Sequence, residues 1–333
     1  MSKVPDESTV RAAVSLAARA PSIHNSQPWH WRLADSSVHL FADISRLLPA
    51  TDPDGRDLLI SCGATLHHLC VALAAEGWAT TVTRLPNPSQ PDHLAAICCH
   101  QQTPSAEDIA LASAIPQRRT DRRRFSSWPV PPNLLDDLTK LAAEQGAVLV
   151  PAADPNDRFT LALAITEASL RQEDNPDYAS ELATWAGRSS LAVEGVPASN
   201  IPAHETHHDD TTMRAFPHGV LTQAPAGDQN DAAELLVLAT ATDEPVSRLR
   251  AGEAMSAVLL SATALRLATC PVSQVLEIEA TRNLVRTRVL DGFGFPQIVL
   301  RIGWAPTENP PLPATPRRAL AEVLEHFPDA CPS

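Results

Sequence analysis

The sequence predicts an α+β sandwich built from two tandem repeats that have diverged. Three observations point there. Helical and strand periodicities are interspersed along all 333 residues, not segregated. Two long alanine-rich helical stretches, Gly55 to Gly77 and Pro245 to Ala268, align on Gly63 and Gly252 without gaps, so that Leu66 meets Met255, Leu69 meets Val258 and Ala75 meets Ala264. Earlier in each unit, the helix end Leu16-Ala17-Ala18-Arg19-Ala20-Pro21 matches Leu141-Ala142-Ala143-Glu144-Gln145-Gly146, and a strand follows both. The boundary falls near Pro116, giving units 1–116 and 117–333.

The elements follow in order. Asp6 to Ala18 is a helix, with Val10, Ala13, Val14 and Ala17 on one face. Pro21 ends it, because a residue before proline avoids the helical region. Trp29 to Leu33 and Val38 to Phe41 alternate as strands around an Asp35-Ser36 turn. Asp54 is placed to cap the first long helix. Thr80 to Leu85 and Leu94 to His100 are strands, and Ser105 with Asp108 forms a capping box for a short helix. In the second unit, Pro132 to Gln145 is a helix stopped by Gly146, and Ala147 to Val150 a strand. Helices follow at Asn156 to Arg171 and Tyr178 to Gly187. No period is visible from Arg188 to Gln229. Then come a strand at Glu234 to Thr240, the second long helix, a helix at Glu279 to Leu290, a strand at Pro296 to Ile302, a proline-rich arm at Pro306 to Pro316, and a last helix at Arg317 to His326.

A net charge of −13 with no large basic face excludes nucleic acid. No run of eighteen apolar residues spans a membrane, and Met1 to Arg19 lacks a signal-peptide core, so a cytoplasmic location is expected. Six cysteines without a CxxC pair read as reduced thiols. His204, His207, His208, Asp209 and Asp210 cluster, but their spacing suits a solvated loop, and no metal is expected. No Gly-x-Gly-x-x-Gly follows a strand, so a tightly held dinucleotide is not expected.

Two stretches carry chemistry. Between Pro21 and Pro28, Ser22, Asn25 and Gln27 sit on a stiff polar loop suited to a planar ligand with hydrogen-bonding edges. Arg118, Arg119, Thr120 and Arg122 begin a run with five arginines, whose planar forks suit a phosphate monoester. Ala20-Pro21-Ser22-Ile23-His24-Asn25-Ser26-Gln27-Pro28-Trp29 resembles the A-P-S-x-x-N-x-Q-P-W signature of the FMN-dependent nitroreductase family, and the arginine run resembles its R-R-S-x-R segment. Tandem degenerate copies of this kind resemble the Acg-type branch.

The resemblance implies a dimer fused into one polypeptide with a single FMN site kept. Pro21, Ser22, Ile23, Asn25 and Gln27 would face the ring and ribityl chain, and Arg118, Arg119, Thr120 and Arg122 the phosphate. Arg317 and Arg318 would join the phosphate, and Pro271, Val272 and Ser273 would run along the N5 side. The family often has glycine or an acidic residue where Ser273 and Gln274 stand here, and a small polar residue where Ile23 stands. The implied activity is electron transfer from transient NAD(P)H through FMN to a nitroaromatic or quinone-type acceptor, with no side-chain acid or base required. The second reading is an FMN-holding protein without turnover, with 188–229 as a lid. One chain would complete its own site, with further oligomerisation left open.

Overall fold

The computed structural model describes residues 4–34, 36–203, 207–208, 211–223 and 231–326. His204, Asp209, Asp210, Asp35, Cys331 and the end of the aperiodic segment at Gln229 lie outside the described residues.

The first half runs α1 (Glu7–Ala17), β1 (Trp29–Leu33), β2 (Ser37–Ala42), α2 (Arg56–Ala75), β3 (Trp78–Arg84), β4 (His93–Gln101) and α3 (Ala106–Ala114). The second runs α4 (Pro132–Glu144), β5 (Val148–Pro151), α5 (Pro155–Glu173), α6 (Pro176–Trp185), the short strands β6 (Ala186–Arg188), β7 (Val196–Pro197), β8 (His207–His208) and β9 (Thr211–Thr212), then β10 (Glu234–Thr240). It ends with α7 (Pro245–Ala264), β11 (Ala268–Val272), α8 (Gln274–Glu277), α9 (Glu279–Arg288), β12 (Phe295–Gly303), α10 (Leu320–Val323) and β13 (Leu324–His326).

Two sheets flank the pair of long helices. One has the order β13-β1-β2-β4-β3, the other β5-β10-β12-β11, and within each half neighbouring strands are antiparallel. Strand for strand, β1-β2-β4-β3 of the first half has the same arrangement as β5-β10-β12-β11 of the second. The period of two along a strand explains how the second sheet is covered on both faces. Leu236 and Leu238 face the core around α7, whereas Leu235, Val237 and Ala239 pack with Leu161 and Ile165 of α5 and Val285 of α9. The central core itself runs from Val10 to Leu324 across both halves.

Helices α2 and α7 meet at glycines. A methyl group on Gly63 would stand 1.9 Å from the Leu249 carbonyl oxygen, and one on Gly252 would stand 2.0 Å from that of Ile60. Each glycine opposes the residue three before its partner, the reciprocal pattern of a two-fold contact. Helix α2 has a mean hydropathy of 1.8 over its most apolar window, enough to cross a membrane, but 72% of that window is buried within the fold.

The structure corrects several expectations. Asp54 does not cap α2; Gly55, with φ of 63°, precedes it, and the Asp52 carboxylate accepts the Asp57 and Leu58 amides at 3.0 and 2.8 Å instead. Helix α7 ends at Ala264, and Ala268 to Val272 is an edge strand, where Pro271 is tolerated because one side of the strand needs no ladder bonds. The expected last helix is one turn, α10, followed by β13, which pairs parallel with β1. The aperiodic stretch from Arg188 holds short strands and a 3-10 turn at Ala198–Asn200.

Candidate functional site

A cavity of about 100 Å³, open to solvent, lies beside the α2–α7 crossing. Both halves build it. Pro21, Ser22, Ile23 and His24 come from the loop after α1, and Asp57, Ile60 and Ser61 from the start of α2. Thr120 and Arg122 come from the arginine run, and Pro271, Val272, Ser273 and Gln274 from β11 and the turn beyond it. Met213, Arg214 and Phe216 close one side.

The loop holds an unusual backbone: His24, Asn25 and Gln27 have φ of 46°, 55° and 52°. Non-glycine residues there are strained and need support from their surroundings. Support comes from Ser61 Oγ, which accepts the Ile23 amide at 3.0 Å, and from Ser22 Oγ, which accepts the Gln27 amide at 3.0 Å. The Asn25 and Gln27 side chains do not line the cavity. Asn25 donates to the carbonyls of Gly195 at 3.0 Å and Pro316 at 3.2 Å, and Gln27 donates to that of Val193 at 2.8 Å. They tie the loop to segment 193–195 and to the proline-rich arm. Arg46 reinforces the tie by pairing with Glu194 and donating to the Ser26 carbonyl at 2.5 Å.

The arginines divide similarly. Arg122 lines the cavity with its guanidinium 4.8 Å over the Phe216 ring. Arg118 lies just behind, with Nη1 3.4 Å from Thr120 Oγ1 and a buried Nε that has no acceptor among the described residues. Burial, reinforced by Arg119, Arg19 and Arg122, pushes its pKa down to about 10. Arg317 bonds the carbonyls of Ala18, Arg19 and Ala20, capping the end of α1. Burial beside Arg118, Arg19 and Arg119 pushes it down to about 9. Among the described residues, the charges that act on Arg118 and Arg317 are those of other arginines. Arg119 donates to the carbonyls of Pro116 and Leu312, and Arg318 donates its backbone amide to Gln27 and approaches Asp43 at 3.6 Å. Arg123 is held by Asp121 at 2.9 Å.

Three cavity groups went unnoticed in the sequence. His24 occupies a variable position of the loop signature; its ring stands 5.6 Å from that of Phe216, and burial, then Arg214 and Arg122, pushes its pKa far below the usual value. Arg214 reaches His24 Nε2 at 3.3 Å and also bonds Tyr178 and Glu277, with Ser273 Oγ at 3.4 Å. Asp57 looks in sequence like any acidic residue in a first helical turn. Apolar walls from Ile23, Ile60, Val272 and Ile298, polar edges, and the guanidinium of Arg122 at the wall with Arg118 behind it suit a flat ring bearing an anionic tail.

The family model described as "Nitroreductase family" matches residues 115–304. A Mycobacterium tuberculosis protein named "Putative NAD(P)H nitroreductase" is 45% identical over 96% of this chain and 92% of its own. Another of that description, named acg, from the same organism, is 41% identical over 95% of both chains. Among solved structures, the FMN-dependent nitroreductase NfnB from Mycobacterium smegmatis in complex with NADPH aligns at TM-score 0.38 and 17% identity, over 64% of this chain and 96% of that one. A nitroreductase with bound FMN from Bacteroides fragilis aligns at TM-score 0.38 and 11% identity, over 60% of this chain and 90% of that one. With the family model covering more than half of the chain and relatives matching nearly all of it, the chain belongs to the nitroreductase family.

Proposed function

We propose that the protein binds one FMN in this cavity and passes electrons from NAD(P)H to a nitroaromatic or quinone-type acceptor. The observation that carries this is Arg118: a buried guanidinium whose Nε meets no acceptor among the described residues, with Arg119, Arg19 and Arg122 acting on it, calls for an anion. A flavin mononucleotide supplies both that anion and a ring for the apolar walls, and when bound it supplies the hydride chemistry. The residues here bind and orient. Arg118, Arg122 and Thr120 would hold the phosphate end, Ser22 and Ile23 one edge of the ring, and Pro271 to Ser273 the opposite edge. The names of its relatives point to NAD(P)H as electron source.

We read 1–116 and 117–333 as two copies of one unit, on the shared strand order, the reciprocal glycine contact and a family match that begins at residue 115. The test of the reading is an absorbance spectrum of the purified protein: a flavin band that bleaches with NADPH supports it, and absence of flavin after incubation with FMN overturns it.

A second reading, flavin holding without turnover, draws on one observation: Arg214 and Phe216 occupy the cavity side, the Phe216 ring meeting His24 edge-on and lying under the Arg122 guanidinium. Segment 188–229 then acts as a lid. Phe216→Ala followed in a stopped flow separates the two. Faster FMN reduction by NADPH favours occlusion, slower reduction favours a lid that completes the site, and unchanged reduction with unchanged FMN release rules out a lid.

A further inference from the structure

Beneath the cavity floor, charge does not balance. Three carboxylates, Asp52, Asp57 and Glu277, are buried within electrostatic reach of one another, and two guanidiniums, Arg56 and Arg214, face them. His24 and Arg122 share the cavity; the first is held neutral by burial, and the second lies over Phe216. A buried group with one surplus negative charge takes up a proton when it can.

Hydrogen bonds decide where that proton sits. Glu277 accepts from Arg214, from Ser273 Oγ at 2.7 Å and from Gln172 Nε2 at 2.6 Å. Asp52 accepts a backbone amide on each oxygen. Donors of this kind stabilise the ionised form. Among the described residues Asp57 has none: Arg56 Nη2 stands 3.0 Å from Oδ1 outside hydrogen-bond geometry, and neither oxygen has a donor. Of the three, Asp57 is the one that lines the cavity.

We infer that Asp57 is the proton donor of the site, a neutral carboxylic acid at the cavity wall whose proton goes to the acceptor molecule. This rests on the proposed flavin reading. Bound FMN, once reduced, would supply a quinone with a hydride, two electrons and one hydrogen; the remaining proton is the part that falls to this chain. The Asp57 O–H bond breaks, the proton goes to the quinone oxygen, and the electron pair stays on a carboxylate beside Arg56. Hydride plus proton converts quinone to hydroquinone, and solvent reprotonates Asp57. Burial raises Asp57 from the ordinary carboxylate range, and the charges of Asp52 and Glu277 oppose the lowering by Arg56.

Carboxyl 13C NMR of aspartate-labelled protein tests the protonation. The Asp57 signal, identified by its loss in Asp57→Asn, is expected at the protonated position at pH 6 while exposed aspartates are ionised; an ionised Asp57 signal there overturns the inference. In a stopped flow with 1,4-benzoquinone, the reduced Asp57→Asn holoprotein should reoxidise on the order of 10²-fold more slowly than the native protein. Equal reoxidation also overturns it. Failure of the flavin reading shows separately, as protein without bound or reducible FMN, while the NMR result stands on its own.

Discussion

At the scale of residues, the site rests on charges that lack their complement. Arg118 is buried among Arg19, Arg119 and Arg317, and an anion is the partner that relieves it. Arg118→Ala should therefore weaken FMN by roughly 1.5–3 kcal/mol and riboflavin, which lacks the phosphate, much less. Titration calorimetry with both ligands checks this, and an equal loss would make the arginine structural. Histidines give a second expectation. His67 and His68 share Ser256 Oγ at 2.8 Å each, and burial lowers both, His67 to about 4. The unfolded chain binds a proton near 6.5 where the folded one does not, so each contributes stability above that pH that is lost as pH falls. Asp52 and Asp57, raised by burial, act in the opposite sense over the same range, so a difference is the useful measure. Between pH 7 and 5, thermal melting should move against the native protein relative to His68→Asn. The Pro21 loop and the arginine run were legible as parts of one cavity wall, through Pro21, Ser22, Ile23, Thr120 and Arg122, because their residue types stand out in the sequence. Asp57, Arg214 and His24 were not, because burial and company, absent from a linear sequence, make them special.

Among elements, the crossing of α2 and α7 is the tightest constraint. Gly63→Ala places its methyl against a carbonyl oxygen that belongs to a packed helix and cannot swing aside. Overpacking costs typically ~1–3 kcal/mol, and this change belongs at or beyond the upper end, a loss that urea denaturation would register. Gly252→Ala should cost a similar amount, since its geometry mirrors the first. A variant that melts with the native protein would dismiss the crossing as a constraint. Most elements were readable from period and caps: Asp6 caps α1, and Ser105 with Asp108 forms its box before α3. Strand β11 was hidden because alanine-rich helical spacing runs on past Ala264 and a proline interrupts the strand. Strand β13 was hidden because three residues carry no period, and only pairing with β1 makes them a strand.

For the whole molecule, each half supplies what the other lacks. The loop after α1 belongs to the first half and the arginine run to the second, so a single chain should bind one FMN and no more. Native mass spectrometry should find one FMN per chain, retained by monomer at nanomolar dilution. Two equivalents of similar affinity, or loss of FMN on dilution to monomer, would refute a self-contained site. The sheet of the first half takes its outermost strand from residues 324–326, joined side by side to Trp31, Arg32 and Leu33. During synthesis, β1 therefore waits through nearly three hundred residues with one edge bare. The first half can collapse early but cannot be finished early, so ribosome-bound chains lacking β13 should be the ones that depend on chaperones.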